Sequence, residues 1–222
     1  MTSIKNVYEY KPPSGAAPKQ MVILLHGVGA NGRDLLSLAP LWAQQLPETV
    51  FISPDAPFAC DMVPPGYPDS YQWFSLRDWS HASMLRGLQQ VQPILDSFIA
   101  AQLEKYDLPA SKLALMGFSQ GTMTSLFAGP RYPEKIAGIL GYSGALVWEP
   151  EVDAAALQKI PVELIHGESD DVVPVSAYHQ ARQVLQQSGF DVGGFTIPGL
   201  AHGIEERGIA SGGQFLKRVF SN

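Results

Sequence analysis

Short apolar runs alternate with helix-compatible stretches along most of this chain, and that alternation restricts its fold more than any other feature. The β-like runs are Met21–Leu25, Val50–Ser53, Lys112–Met116, Ile136–Tyr142, Val162–Ile165 and Gly194–Ile197. The helical stretches are Gly32–Gln45, His81–Tyr106, Gln120–Ala128, Pro174–Gln187 and Ile204–Phe220. The central β-like runs are continuously apolar, as strands are when both faces of a parallel sheet are covered. Regular βα alternation predicts a mostly parallel, doubly wound α/β sheet with right-handed crossovers and helices on both faces. Val7–Tyr10 is expected to add an edge strand, and Pro93 to kink or interrupt the second helix. With 222 residues, 45% of them hydrophobic and 16% charged, the chain suits one well-packed domain over 1–222.

One segment breaks the rhythm. Pro54 to Ser80 holds five prolines and the aromatics Phe58, Tyr67, Tyr71, Trp73, Phe74 and Trp79. A loop this long inside a compact domain is uncommon and often functional. Two roles fit Trp73 and Phe74 equally: the wall of a substrate pocket in a cap over a binding cleft, or core packing that pins a surface excursion.

Chemistry enters at Gly117-Phe118-Ser119-Gln120-Gly121, a G-x-S-x-G pentapeptide. By chance it occurs in roughly one chain of this length in ten, so its context carries the argument. Leu113–Met116 before it reads as a strand and Thr122–Ala128 after it as a helix. A sharp turn between strand and helix lifts a serine hydroxyl to the top of a sheet, and flanking glycines keep the turn free of clashes.

A serine hydroxyl needs a base. In such sheets the order along the chain is serine, acid, histidine. Downstream of Ser119 the histidines are His166, His179 and His202. His166 lies at a strand end ahead of the best acids, and His179 lies inside a helical stretch. His202 follows the last strand, in Pro198-Gly199-Leu200-Ala201-His202-Gly203, where active-site loops gather. The acid comes from Glu168, Asp170 or Asp171 in the loop after Val162–Ile165, and residue physics alone does not separate them. Its task is to hold the imidazole tautomer and stabilise the imidazolium. The developing oxyanion needs backbone donors. Gln120 N–H, directly after the nucleophile, is one. The loop His26-Gly27-Val28-Gly29-Ala30-Asn31-Gly32 offers Val28 N–H as the second. That loop lacks the lysine of a P-loop and the spacing of a dinucleotide fingerprint.

Other classes fit poorly. The net charge is −6 and basic residues do not cluster, so neither nucleic acid nor an anionic membrane is an expected partner. No integral membrane segment is expected. Residues 1–6 precede a polar, Pro-rich segment rather than an apolar leader, and Cys60 is the single cysteine; a cytoplasmic setting is expected. The histidines lack metal-ligand spacing, so no metal is expected.

These motifs resemble those of the α/β-hydrolase superfamily and, more closely, the phospholipase/carboxylesterase family that includes acyl-protein thioesterases and bacterial carboxylesterases. Leu24–Gly32 resembles that family's first loop, Gln72-Trp73-Phe74 its W-F motif, and Gly117–Gly121 its elbow. Ile139–Gly144 resembles the next strand and S-G turn. His166-Gly167-x-x-Asp170-x-x-Val173-Pro174 resembles the acid motif, and Gly199-x-x-His202 the histidine loop. The resemblance implies an α/β-hydrolase fold with catalytic Ser119, Asp170 and His202, an oxyanion hole at Val28 and Gln120, and no cofactor. It implies a serine carboxylic-ester hydrolase for short- to medium-chain acyl esters. The alternative is an acyl-protein thioesterase or lysophospholipase with the same triad. A small-molecule or lipid acyl ester is the expected partner, with an acylated protein as the alternative; a homodimer is compatible. A ligand binder on an inactive hydrolase fold is the rival, but it has no need of a complete triad and glycine loop. Two positions depart from the family pattern, Ser75 and Thr122, and both are expected near the acyl site.

Overall fold

A computed structural model describes residues 3–64 and 67–221. Pro65 and Gly66 of the long loop, and the chain ends, lie outside the described residues. The elements are β1 (Val7–Tyr10), β2 (Gln20–Leu25), α1 (Gly32–Leu36), α2 (Ala39–Ala43), β3 (Thr49–Pro54), β4 (Phe58–Ala59), β5 (Tyr71–Gln72) and α3 (His81–Tyr106), then β6 (Leu113–Phe118), α4 (Gln120–Ala128), β7 (Gly138–Tyr142), β8 (Val162–Gly167), α5 (Ser176–Gln187), β9 (Val192–Ile197) and α6 (Glu206–Phe220).

The main sheet has seven strands in the order β1-β3-β2-β6-β7-β8-β9. β1 runs antiparallel to β3 and the others pair in parallel. This is the mostly parallel sheet of the α/β-hydrolase fold. Alternate residues of each strand bury on opposite faces. Met21, Ile23 and Leu25 of β2 join α3, α4 and α5 in one core, where Leu88, Leu126 and Leu185 pack. Val22 and Leu24 join α1, α2 and α6 in the other, with Trp42, Phe215 and Leu216. Both sheet faces are thus covered by helices.

The strand order reverses its direction of growth between β2 and β6. The register Leu25↔Gly117 sets the ends of these two strands side by side. Loops leaving adjacent strands at such a switch point splay apart and leave a crevice.

Several boundaries differ from the sequence expectation. Gly32–Gln45 is two short helices, because Pro40 takes the start of α2, where its missing N–H costs nothing. Lys112 belongs to a 3₁₀ turn, Ala110–Lys112, and β6 begins after it. β7 starts at Gly138 rather than Ile136, β8 runs on to Gly167, and β9 begins at Val192. α3 continues through Pro93 without interruption. The long loop carries a small antiparallel pair, β4 with β5.

Candidate active site

Ser119 stands between β6 and α4 with φ 54° and ψ −116°, a region that side chains rarely occupy. The surroundings hold it there. Its N–H donates to the Tyr142 carbonyl at 2.9 Å, and its carbonyl accepts from the Thr122 and Met123 N–H groups. A Cβ at Gly121 would sit 1.8 Å from the Leu25 carbonyl oxygen, and one at Gly117 would sit 2.4 Å from the Gly121 backbone. The two glycines of the pentapeptide are therefore set by contact between β2, β6 and α4. Thr122 Oγ1 lies 2.8 Å from both the Gly117 and Tyr142 carbonyls and accepts from Tyr142 N–H, tying β6 to β7 beneath the elbow.

The loop after β8 carries the acids, and the structure sets them apart. Asp170 Oδ2 lies 2.8 Å from His202 Nδ1. Its Oδ1 accepts from the Val172 and Val173 N–H groups at 3.0 and 2.8 Å. Glu168 instead accepts from Thr196 Oγ1, and Asp171 is exposed. Burial pushes the Asp170 carboxyl up, but the His202 contact and the two N–H donors outweigh it and hold it below the ordinary carboxylate range.

Sequence reasoning assigned His166 no role, yet it touches the acid. Its Nε2 lies 2.8 Å from the Val173 carbonyl, which makes that nitrogen the donor, and 3.3 Å from Asp170 Oδ2. Asp170 thus has an imidazole on either side, of which His202 makes the shorter contact. The missing signal was spatial: His166 and Asp170 are one loop turn apart.

His202 and Ser119 line the same cleft of about 450 Å³, without a direct hydrogen bond between them. The Phe118 ring packs against the His202 imidazole at 4.8 Å between centroids. In unliganded sites the hydrogen bond between nucleophile and base is often long and tightens when substrate arrives.

The glycine loop after β2 is pinned from the long loop. Gly29 N–H donates to the Tyr71 carbonyl, Tyr71 N–H to the Ala30 carbonyl, and Ser70 Oγ to the Gly29 carbonyl. Gly32 N–H donates to Asp55 Oδ1 at 2.8 Å. Val28 N–H and Gln120 N–H donate to no protein acceptor among the described residues. His26 is fully buried beneath this loop. Its Nδ1 lies 2.7 Å from the Gly27 carbonyl, so Nδ1 is the donor, and Nε2 accepts from Ala56 N–H.

Burial lowers the pKa of His26, and likewise that of His166. The unfolded chain binds protons on these imidazoles below about pH 6.5, whereas the folded chain does so only at lower pH. Their contribution to stability is therefore intact above that pH and is lost as pH falls below it. Thermal midpoints measured between about pH 5 and 7 are expected to fall more steeply in the wild type than in His26→Asn. Parallel curves would contradict the buried neutral imidazole.

Trp73 and Phe74 do not wall the cleft; their side chains are buried in the core. Trp73 Nε1 donates to the His26 carbonyl, and Trp73 N–H to Gln120 Oε1. Gln120 Nε2 donates to the Phe74 carbonyl at 2.7 Å. The W-F pair thus couples the glycine loop to the elbow from behind. The walls are Val28, Leu35, Met62, Trp79, Phe118 and Ile204, with Val172 at the edge. Met62 and Trp79 come from the long loop that sequence reasoning singled out, but from other positions in it. The two departures lie elsewhere: Thr122 is buried below the elbow, and Ser75 faces a separate groove. Among the described residues no group of three His, Cys, Asp or Glu side chains is gathered to hold a metal ion.

A strained serine at the switch point of this sheet, beside an acid–histidine pair, belongs to the α/β-hydrolase class. The profile of the Phospholipase/Carboxylesterase family matches residues 12–220, and the chain belongs to that family. It is 30% identical over 161 residues to acyl-protein thioesterase 1 of Schizosaccharomyces pombe, covering 69% of each chain. It is 25% identical over 191 residues to esterase YpfH of Escherichia coli strain K12, covering 86% of this chain and 79% of that one. The crystal structure of esterase PE8 superposes with a TM-score of 0.87 at 36% identity, over 98% of both chains. The protein is a hydrolase of acyl esters.

Proposed function

We propose that the protein is a serine carboxylic-ester hydrolase that passes short- to medium-chain acyl groups through an acyl-enzyme on Ser119. The observation that carries this reading is the strained Ser119 facing an apolar cleft together with His202, whose Nδ1 is held by Asp170.

Ser119 Oγ attacks the acyl carbonyl carbon and gives its proton to His202 Nε2. The carbonyl oxygen takes the negative charge and is met by Val28 and Gln120 N–H. Asp170 stabilises the imidazolium without taking its proton. The tetrahedral adduct collapses, the C–O bond to the alcohol breaks, and His202 protonates the leaving alcohol. Water then attacks the acyl-enzyme, giving its proton to His202. Ser119 leaves with that proton, and the carboxylic acid departs.

The apolar walls favour an acyl chain over a polar one. Thioester cleavage uses the same groups. It is a second reading, supported by the acyl-protein thioesterase relative and by Met62, Trp79 and Val172, which stand 54%, 46% and 49% exposed at the mouth. Such a rim suits a substrate whose bulk stays outside. A cytoplasmic setting belongs to the same proposal, supported by Cys60, which is buried and unpaired.

A panel of acetate, butyrate and octanoate esters with matched thioesters tests the reading. Each methylene buried against the wall contributes about 0.8 kcal/mol. Trp79→Ala is therefore expected to reduce the preference for octanoate over acetate by about 10-fold. Phe74→Ala is expected to cost about 3–5 kcal/mol of stability and leave that ratio unchanged. A shifted ratio in Phe74→Ala with none in Trp79→Ala would return the wall to the W-F pair.

A further inference from the structure

The cleft is apolar and also electrically one-sided. Among the described residues that line it, Asp34 is the carboxylate, and there is no lysine or arginine. Asp34 is in the first turn of α1, where its Oδ2 accepts from Asn31 N–H, the N-cap residue. The fold brings it to the mouth because α1 follows the glycine loop directly.

The neighbouring rim has the same sign. Five of the apolar residues that line the cleft have an acid next to them in the chain: Leu35 follows Asp34, Met62 follows Asp61, Trp79 follows Asp78, Val172 follows Asp171, and Ile204 precedes Glu205. Three nearby arginines keep their charge but direct it to other contacts. Arg33 lies over the Tyr8 ring at 4.9 Å, and Arg207 over the Phe195 ring at 4.5 Å. Arg77 is held by Asp61, through its carbonyl at 3.0 Å and its carboxylate at 3.6 Å. Asp61 is thus paired with Arg77, and Asp78 feels the charge of Arg86, whereas Asp34, Asp171 and Glu205 have no ion-pair partner among the described residues. A concave apolar wall concentrates the field of such charges on whatever enters.

We propose that Asp34 is a specificity-determining residue that selects esters with neutral or cationic groups beside the scissile bond and excludes anionic ones. This rests on the hydrolase reading of the cleft. A carboxylate, sulfonate or phosphate near the reacting carbonyl meets Asp34 and no compensating cation, whereas a quaternary or primary ammonium is drawn in. The effect is long-range and solvent-exposed, so it weakens with salt.

The test uses three butyrates of similar shape: choline butyrate, neutral 3,3-dimethylbutyl butyrate and 3-sulfopropyl butyrate. A second set carries an ammonium, a methyl or a carboxylate at the far end of the acyl chain. Acid release is followed at low and high ionic strength, and each kcat/KM is divided by that of the neutral ester in the same set. At about 0.01 M salt the cationic-to-anionic ratio is expected to exceed about 10 in at least one set, and at about 1 M to fall below about 3. Asp34→Asn keeps the shape and the helix cap and should reduce the ratio. Asp34→Lys should invert it. Equal rates for all charges at low salt, with the neutral esters turned over, would overturn the charge filter while leaving the hydrolase intact. A ratio unchanged in both variants would overturn the assignment to Asp34. Failure to turn over any ester of either set would instead count against the hydrolase reading on which the filter rests.

Discussion

His202→Ala is expected to lower kcat/KM on the best ester by about 10³-fold or more. Without the imidazole no group in the cleft takes the Ser119 proton or returns it to the leaving alcohol. The variant should remain folded, because His202 sits part-exposed at the cleft, packed against Phe118 and tied to the rest of the site through Asp170. His179→Ala is the matched control: His179 is exposed on α5, away from the cleft, and its loss should change kcat/KM by less than about 2-fold. Steady-state kinetics on both variants decides. A large loss in His179→Ala with little in His202→Ala would mean that the base has been misassigned.

Asp170→Asn is expected to cost about 10³- to 10⁴-fold in kcat, against less than about 3-fold for Asp171→Asn or Glu168→Gln. The geometry makes position 170 intolerant of an amide. Oδ1 accepts from two backbone N–H groups, while Oδ2 faces His202 Nδ1. An amide has one oxygen, so either orientation turns an NH₂ toward donors. If the NH₂ faces His202, the imidazole relieves the conflict by moving its own proton to Nε2. That tautomer cannot accept from Ser119. Circular dichroism and thermal midpoints separate this loss from unfolding. Equal losses at 170 and 171 would overturn the assignment.

Much of this architecture was legible in the residues because it rests on local pattern. The inner strands are continuous apolar runs, and the elbow carries glycines that contact with Leu25 and Gly121 leaves no room to replace. The order of serine, acid and histidine follows from the order of the strands. What stayed hidden depends on direction rather than on composition. Trp73 and Trp79 are equally aromatic members of one loop, but one turns its indole N–H inward to His26 and the other lies along the cleft. No periodicity in an irregular loop reveals which way a side chain points. The break between α1 and α2 was legible in principle from Pro40. The β4–β5 pair was not, since two-residue strands carry no pattern. Asp34 carried no signal until the switch point brought α1 to the cleft mouth, and His166 reads as a strand terminus until its loop folds back onto Asp170.

The central claim is that Ser119 is the nucleophile, and covalent labelling tests it most directly. An alkyl phosphonate serine reagent is applied to the active protein. Intact mass, peptide mapping and residual turnover are then followed on the same samples. One adduct is expected, on the peptide that carries Gly117–Gly121, with turnover lost in proportion to labelling and no adduct in Ser119→Ala. Turnover that survives complete labelling of Ser119, or full activity in Ser119→Ala, would contradict the claim.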